Sequence, residues 1–87
     1  LKRYEEALRD CNRSLELRPD DPTTIYNLAC LHSLMSRFDS ALEELAKAIA
    51  GDEGNRQLAR GDEDFAKLRE DPEWGPRFWA VVGKEDH

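Results

Sequence analysis

The chain has 87 residues, of which 37% are charged and 8% aromatic, and its formal net charge at pH 7 is −6. A domain of this length buries only roughly 60% of its unfolded surface, so a large enclosed active-site cavity is not expected. The acidic surplus is uneven, because residues 1–19 are nearly neutral whereas residues 51–87 carry six basic and ten acidic side chains. Nucleic-acid phosphates and acidic membrane surfaces would be repelled, so we expect neither as a partner.

The sequence contains no sign of membrane insertion or export. No apolar run approaches the ~20 residues of a membrane-spanning helix, and no signal peptide is visible, so we expect a soluble, cytoplasmic protein. The chain opens at Leu1, already in a helical pattern, and we expect it to be part of something longer. Cys11 and Cys30 lack the CxxC spacing of a redox or zinc site. We predict that both are small core residues, with a disulfide or a reactive thiol as the alternative.

Three helices are predicted in the first part of the chain. Residues 1–18 place apolar side chains at positions i, i+4, i+7 and i+11, the stripe of an amphipathic helix, and Pro19 follows. Asp21 before Pro22 is an N-cap followed by Pro at the first helical position, which begins a second helix. A turn at Ser36 leads to a third helix, which ends near Gly51.

The first and third helices are related by a shift of 34 residues, which superposes small residues on small ones and large apolar residues on large ones. The superposed pairs are Tyr4 with Phe38, Ala7 with Ala41, Leu8 with Leu42, Cys11 with Leu45, Ser14 with Ala48, and Leu15 with Ile49. This period equals the length of a tetratricopeptide repeat.

The residues of the repeat also resemble the tetratricopeptide family. Leu28-Ala29 matches its first helix, and Phe38-x-x-Ala41-x-x-x-Leu45-x-x-Ala48 matches its second. The chain departs from the family pattern at four positions: Ile25 for an aromatic residue, His32 for Tyr, Ser36 for Gly, and Glu53 for Pro. The resemblance implies an all-α fold of antiparallel helix hairpins from an α-solenoid. Residues 1–54 would hold the second helix of one repeat (1–18) and a full repeat (22–51).

Residues 55–87 are predicted to form a C-terminal capping segment. The run from Asp64 to Trp74 resembles the ending of many tetratricopeptide arrays, and a terminal unit must cover the apolar face left by the last repeat. Asp71 before Pro72 predicts a final helix near residues 72–82. The large apolar residues expected in the core of the cap are Leu58, Phe65, Leu68, Trp74, Phe78 and Trp79. The two tryptophans could instead form a binding surface, because Trp is enriched at interaction hot spots.

No catalytic, cofactor-binding or metal-binding residue is predicted. The glycines lack the Lys-Ser or Lys-Thr that follows a phosphate-binding loop, and no serine or cysteine has a base nearby. We expect His32 to pack against other residues and His87 to fray at the terminus. Cys30 and His32 lie two apart on a helix and point to different sides, so they do not form a metal site. The acidic runs at residues 62–64 and 70–71 lack the ligand order of a calcium loop.

The resemblance implies a protein-interaction scaffold without chemistry of its own. First helices of successive repeats line a concave groove that holds a peptide or a partner protein. The residues expected to face that groove are Thr23, Tyr26, Asn27, Cys30, Ser33 and Leu34. The alternative is an appendage that recruits substrates or mediates oligomerisation for an enzyme domain upstream on a longer chain.

A homodimer is a further expectation from the resemblance. The first helix would lack its partner helix from the preceding repeat, and an uncovered apolar stripe favours self-association. The residues of that stripe are Tyr4, Leu8, Cys11 and Leu15.

Overall fold

The computed structural model describes residues 2–83, with the side chain of Lys2 left aside. Leu1 and residues 84–87, which include His87, lie outside the described residues. The helices are α1 (Lys2–Leu17), α2 (Pro22–Leu34), α3 (Phe38–Gly51), α4 (Gly54–Gly61), α5 (Ala66–Glu70) and α6 (Gly75–Val82), with a 3-10 turn at Glu63–Phe65. No strand occurs between residues 2 and 83, so the predicted all-α class is confirmed. None of the described helices combines the length and the apolar character needed to cross a membrane.

Helix α2 lies at the centre of the fold and packs against both α1 and α3. The approach of α2 to α3 is close because small residues stand at the contact. Ala29, Ala41 and Ala48 are all fully buried. The turn between the two helices places Ser36 at φ 62°, in the left-handed region that favours glycine. Serine tolerates this conformation at some cost.

The N-terminus of α2 is capped by Asp21. Its carboxylate accepts hydrogen bonds from the backbone N–H of Thr23 (3.3 Å) and the hydroxyl of Thr24 (2.8 Å), and Pro22 fills the first helical position. Asp21→Ala is expected to lower the free energy of unfolding by about 1 kcal/mol, the usual cost of losing such a cap. Urea denaturation checks this, with the exposed neighbour Asp20→Ala as the control. Equal midpoints for both variants would contradict the capping role.

The C-terminal segment shares one hydrophobic core with α2 and α3. Its fully buried side chains are Ala59, Phe65, Leu68, Phe78 and Val82. An aromatic chain joins the two parts of the molecule. The Phe65 ring lies 5.8 Å from Tyr26, edge to face, and 5.7 Å from Phe78. Phe78 in turn meets Trp79 at 5.3 Å. Residues 55–83 therefore pack on α2 and α3 and extend the same core.

The last helix begins at Gly75, three residues later than predicted from Pro72. The Asp71 carboxylate accepts hydrogen bonds from the backbone N–H groups of Glu73 and Trp74, so it caps a turn ahead of the helix. The reason for the later start is Pro76. A helix from residue 72 would place Pro76 where it must donate an N–H to the carbonyl of Pro72, and proline has none. In the observed helix, Pro76 lies in the first turn, where that N–H is not required.

Leu58 was predicted in the core of the cap, and this prediction is wrong. Its side chain is 59% exposed, because α4 turns Asn55 and Ala59 towards the core instead. Asn55 is buried, and its side-chain amide donates to the backbone carbonyl of Ala48 at 3.0 Å. Helix α4 therefore contacts the last turn of α3 through the hydrogen bond of Asn55, and Leu58 stays outside the core. The two tryptophans, Trp74 and Trp79, are half-buried at the edge of the core.

Candidate functional site

The candidate binding site is a cleft between α1, α2 and the turn at residues 62–64. Its volume is about 420 Å³, within the range of roughly 300–1,000 Å³ that is usual for ligand sites. The cleft is lined by Ala7, Asp10 and Cys11 from α1, by Tyr26, Asn27, Cys30, Leu31 and Leu34 from α2, and by Asp62 and Asp64. One wall is therefore apolar, and the rim carries three carboxylates.

The structure brings together four of the six residues predicted to face a groove. Tyr26, Asn27, Cys30 and Leu34 all line the cleft, whereas Thr23 lies outside it. Ser33 lines an adjacent hollow together with Leu34, Asp64 and other residues. Asn27 is exposed and Leu34 is half-buried, so both are accessible to a partner.

Tyr26, Cys30 and Ser33 are buried, because the turn at residues 62–65 covers this face of α2. The Tyr26 hydroxyl donates to Oδ2 of Asp62 at 2.7 Å, and the Ser33 hydroxyl donates to the backbone carbonyl of Asp64 at 2.8 Å. The chain itself thus occupies part of the surface expected for a partner.

Sequence reasoning missed Asp62 and Asp64 as members of the site, because it considered their acidic run only as a calcium loop. A local signal was present in the Asp-x-Asp spacing. Oδ1 of Asp62 accepts a hydrogen bond from the backbone N–H of Asp64 at 3.0 Å, and this contact initiates the 3-10 turn. What the spacing does not reveal is that the turn lies on α2.

The pKa values of three groups in the cleft are raised by burial and by neighbouring carboxylates. Burial, reinforced by the carboxylates of Asp62 and Asp64, raises the pKa of the Cys30 thiol to about 12. Burial, reinforced by Asp10, also raises the pKa of Cys11, and burial beside Asp62 raises that of Asp64. In each case a neighbouring negative charge disfavours the ionised form.

Cys30, Asp62 and Asp64 place one sulfur and two carboxylate oxygens within 4.8 Å of one another. This donor set is a poor fit to a divalent metal. A metal binds the thiolate, and burial beside two carboxylates raises the pKa of Cys30 to about 12, which adds to the free energy needed to remove its proton. Oδ2 of Asp62 is already an acceptor for the Tyr26 hydroxyl.

The raised pKa values predict slow alkylation of the thiols. Only the thiolate form of cysteine attacks the alkylating reagent. For Cys30, the rise of the pKa from 9.0 to about 12 lowers the thiolate fraction about a thousandfold at a given pH. We expect iodoacetamide at pH 8 to modify Cys30 in the Cys11→Ser variant far more slowly than Cys11 in the Cys30→Ser variant. Mass spectrometry measures both rates, and labelling in urea gives the unfolded reference. Equal native rates would contradict the environment described for Cys30.

The stripe predicted to self-associate lies on α1. Tyr4, Leu8, Cys11 and Leu15 are all half-buried, because α1 packs on α2 and leaves part of each side chain at the surface. Cys11 also lines the cleft. At the end of the same helix, Leu17 is 82% exposed. Helix α1 therefore carries both one wall of the cleft and an incompletely covered apolar face.

His32 faces α3 and lies outside the cleft. Its Nδ1 is paired with a carboxylate oxygen of Glu44, and both side chains are largely buried. Burial raises the pKa of Glu44, and the adjacent imidazole opposes that rise. This hydrogen bond links α2 to α3. Among the described residues, neither side chain of the pair is hydrogen-bonded to a nucleophile.

Comparison with protein-family models, with curated proteins and with solved structures finds no match to this chain.

Proposed function

We propose that this chain is a tetratricopeptide-like interaction module that binds a segment of a partner protein in the cleft beside α2, and that it performs no chemistry of its own. The observation that supports this proposal is the cleft itself. It is open between α1, α2 and the turn at residues 62–64, and it combines an apolar wall with polar groups at its rim. Such a combination is typical of surfaces that bind peptide side chains.

The helix repeat gives this cleft a rigid frame. Helices α1 and α3 flank α2 and are related by the shift of 34 residues, as the two second helices around one first helix would be. The accessible side chain of Asn27 stands on the face of α2 that lines the cleft. A rigid wall with one exposed amide can hold the backbone of an extended peptide by hydrogen bonds, since an amide both donates and accepts.

The test is selection of peptides from an unbiased display library on the immobilised chain, followed by mapping of binding by amide chemical shifts. We expect selected peptides to shift the amides of residues around Asn27 and Leu34. The variant Asn27→Trp should abolish binding, because the indole fills the cleft.

Asn12→Trp is the matched control, because Asn12 is an exposed residue of α1 that does not line the cleft. It should bind like the original chain. If the selected peptides bind both tryptophan variants equally well, the cleft is not the binding site and the proposal fails.

A second candidate function is self-association through α1. The observation in its favour is the incomplete cover of Leu8 and Leu15, together with the highly exposed Leu17. Light scattering over a concentration series should then give the mass of a dimer, and Leu8→Asp should restore the mass of a monomer. The control Glu16→Asp changes an exposed residue of the same helix and should leave the dimer intact. A constant monomeric mass at high concentration would eliminate this candidate.

A further inference from the structure

The cleft has a strong charge asymmetry. Three of the residues that line it are carboxylates, namely Asp10, Asp62 and Asp64, and no Lys, Arg or His is among them. The adjacent hollow shares Leu34 and Asp64 with the cleft and adds Glu63 and Lys67, which bring one negative and one positive charge, so the acidic surplus is confined to the cleft itself.

These carboxylates are not neutralised within the part of the chain that the structure describes. One ion pair between described residues joins Arg56 to Glu53, and His32 shares a hydrogen bond with Glu44; both contacts lie outside the cleft. Arg69 contacts the same turn, but it donates to the backbone carbonyls of Ala59 and Asp62 instead of a carboxylate. The carboxylates of Asp10 and Asp64 therefore remain available to an external cation, whereas Asp62 already accepts hydrogen bonds from Tyr26 and from the backbone of Asp64.

The groups that titrate in the cleft respond to this charge. Burial is the main cause of the raised pKa values of Cys30, Cys11 and Asp64; Asp62 and Asp64 add to the rise at Cys30, Asp10 to that at Cys11, and Asp62 to that at Asp64. Each of these effects would be relieved by a positive charge placed at the rim, because it stabilises the ionised neighbours.

The apolar wall complements the acidic rim. Ala7, Leu31 and Leu34 line the cleft beside the carboxylates. Lys and Arg bury the methylene groups of their side chains on apolar surface while the charged end reaches a polar rim. A simple metal ion or a small amine would use the carboxylates and leave the apolar wall exposed.

We propose that the segment bound in this cleft is basic: a stretch of a partner protein in which Lys or Arg, next to an apolar residue, pairs with Asp10 and Asp64. This inference rests on the proposed function and specifies its partner. The basic side chain lies along the α2 wall, and its charged end meets the acidic rim. Charge complementarity of this kind accelerates association and selects against acidic partners.

The test uses three short peptides that share the same apolar residues and differ only at two positions. These two positions carry Arg in the first peptide, Gln in the second and Glu in the third. Each is titrated into the isotopically labelled chain while amide shifts report the site and the affinity. We expect the Arg peptide to bind at the cleft about tenfold more tightly than the Gln peptide, and the Glu peptide not to bind. The preference should shrink as salt is raised, because the rim is exposed to solvent.

The carboxylates are tested with the double variant Asp10→Asn with Asp64→Asn, which removes two charges from the rim. It should bind the Arg peptide about tenfold more weakly and leave binding of the Gln peptide unchanged. The control Glu16→Gln with Glu70→Gln removes the same net charge from exposed positions outside the cleft and should change the affinity less than about twofold.

Four results would overturn the inference. Equal binding of the Arg and Gln peptides at the cleft would leave the proposed function intact but remove the charge preference. Binding of free arginine amide as tightly as the peptide would reveal a small-cation site only. Shifts at the cleft that depend on protein concentration alone would assign it to a second copy of the chain. Absence of all peptide binding at the cleft would reject the basic segment, and the library selection would then decide separately about the proposed function.

Discussion

Replacing Phe65 with Ala is expected to lower the free energy of unfolding by about 3–5 kcal/mol, the usual cost of removing a buried phenyl ring. Phe65 is fully buried, and its ring is held between those of Tyr26 and Phe78. It joins the C-terminal segment to α2, so the cavity left by alanine would lie at the junction of the two parts. The free energy of unfolding of a small domain is only about 5–15 kcal/mol, so this single substitution would remove a large part of the stability.

Urea denaturation followed by circular dichroism measures this effect. Leu58→Ala is the matched control, because Leu58 is 59% exposed and its truncation should cost less than about 0.5 kcal/mol. A comparable loss in both variants would mean that the C-terminal segment does not pack on α2 as described. The solvent exposure of Tyr26 is a second measurement, because the loss of Phe65 removes the ring that packs against the Tyr26 ring.

Gly75→Ala is expected to destabilise the protein by about 1–3 kcal/mol, through overpacking instead of a cavity. A Cβ atom at this position would lie 2.5 Å from the backbone carbonyl oxygen of Arg69 and 3.3 Å from its carbon. The obstacle is main chain, which cannot rotate away as a side chain can. Helices α5 and α6 would have to separate, and Phe78 and Val82 would move with α6.

Gly61→Ala is the control for this prediction. Nothing lies within 4 Å of a Cβ added at Gly61, the last residue of α4, so alanine should be neutral or stabilising by about 0.4–1 kcal/mol. The midpoint of thermal unfolding should therefore fall for Gly75→Ala and stay the same or rise for Gly61→Ala. A Gly75→Ala variant that melts with or above the original chain would contradict the close approach of α6 to Arg69.

The parts of the fold that the sequence predicts well are those with local causes. Asp21 and Pro22 mark the start of α2 because an N-cap and an N1 proline act within one turn of helix. The end of α1 ahead of Pro19 has a similar origin. The start of α6 was predicted too early. Asp71 does cap a turn, but Pro76 prevents a regular helix from beginning at Pro72, so α6 begins at Gly75.

The candidate site is only half predictable from sequence, and the missing half depends on contacts between distant residues. Helical periodicity places Tyr26, Asn27, Cys30 and Leu34 on neighbouring positions of α2, and they do line the cleft. The same periodicity carries no information about Asp62, which lies 36 residues beyond Tyr26 in the chain. Pattern reasoning likewise puts Leu58 inside, because it does not register that Asn55 can bond the end of α3.

The cover that residues 62–65 place on α2 also has a consequence for the order in which the protein is made. Synthesis runs from the N-terminus, so Tyr26 leaves the ribosome 36 residues ahead of the carboxylate that binds it. At roughly 5–20 residues per second, this delay is about 2–7 s. Throughout that interval, the nascent chain presents the apolar face of α2 without its own cover. That face is then open to chaperones, or to the wrong helix of another nascent chain.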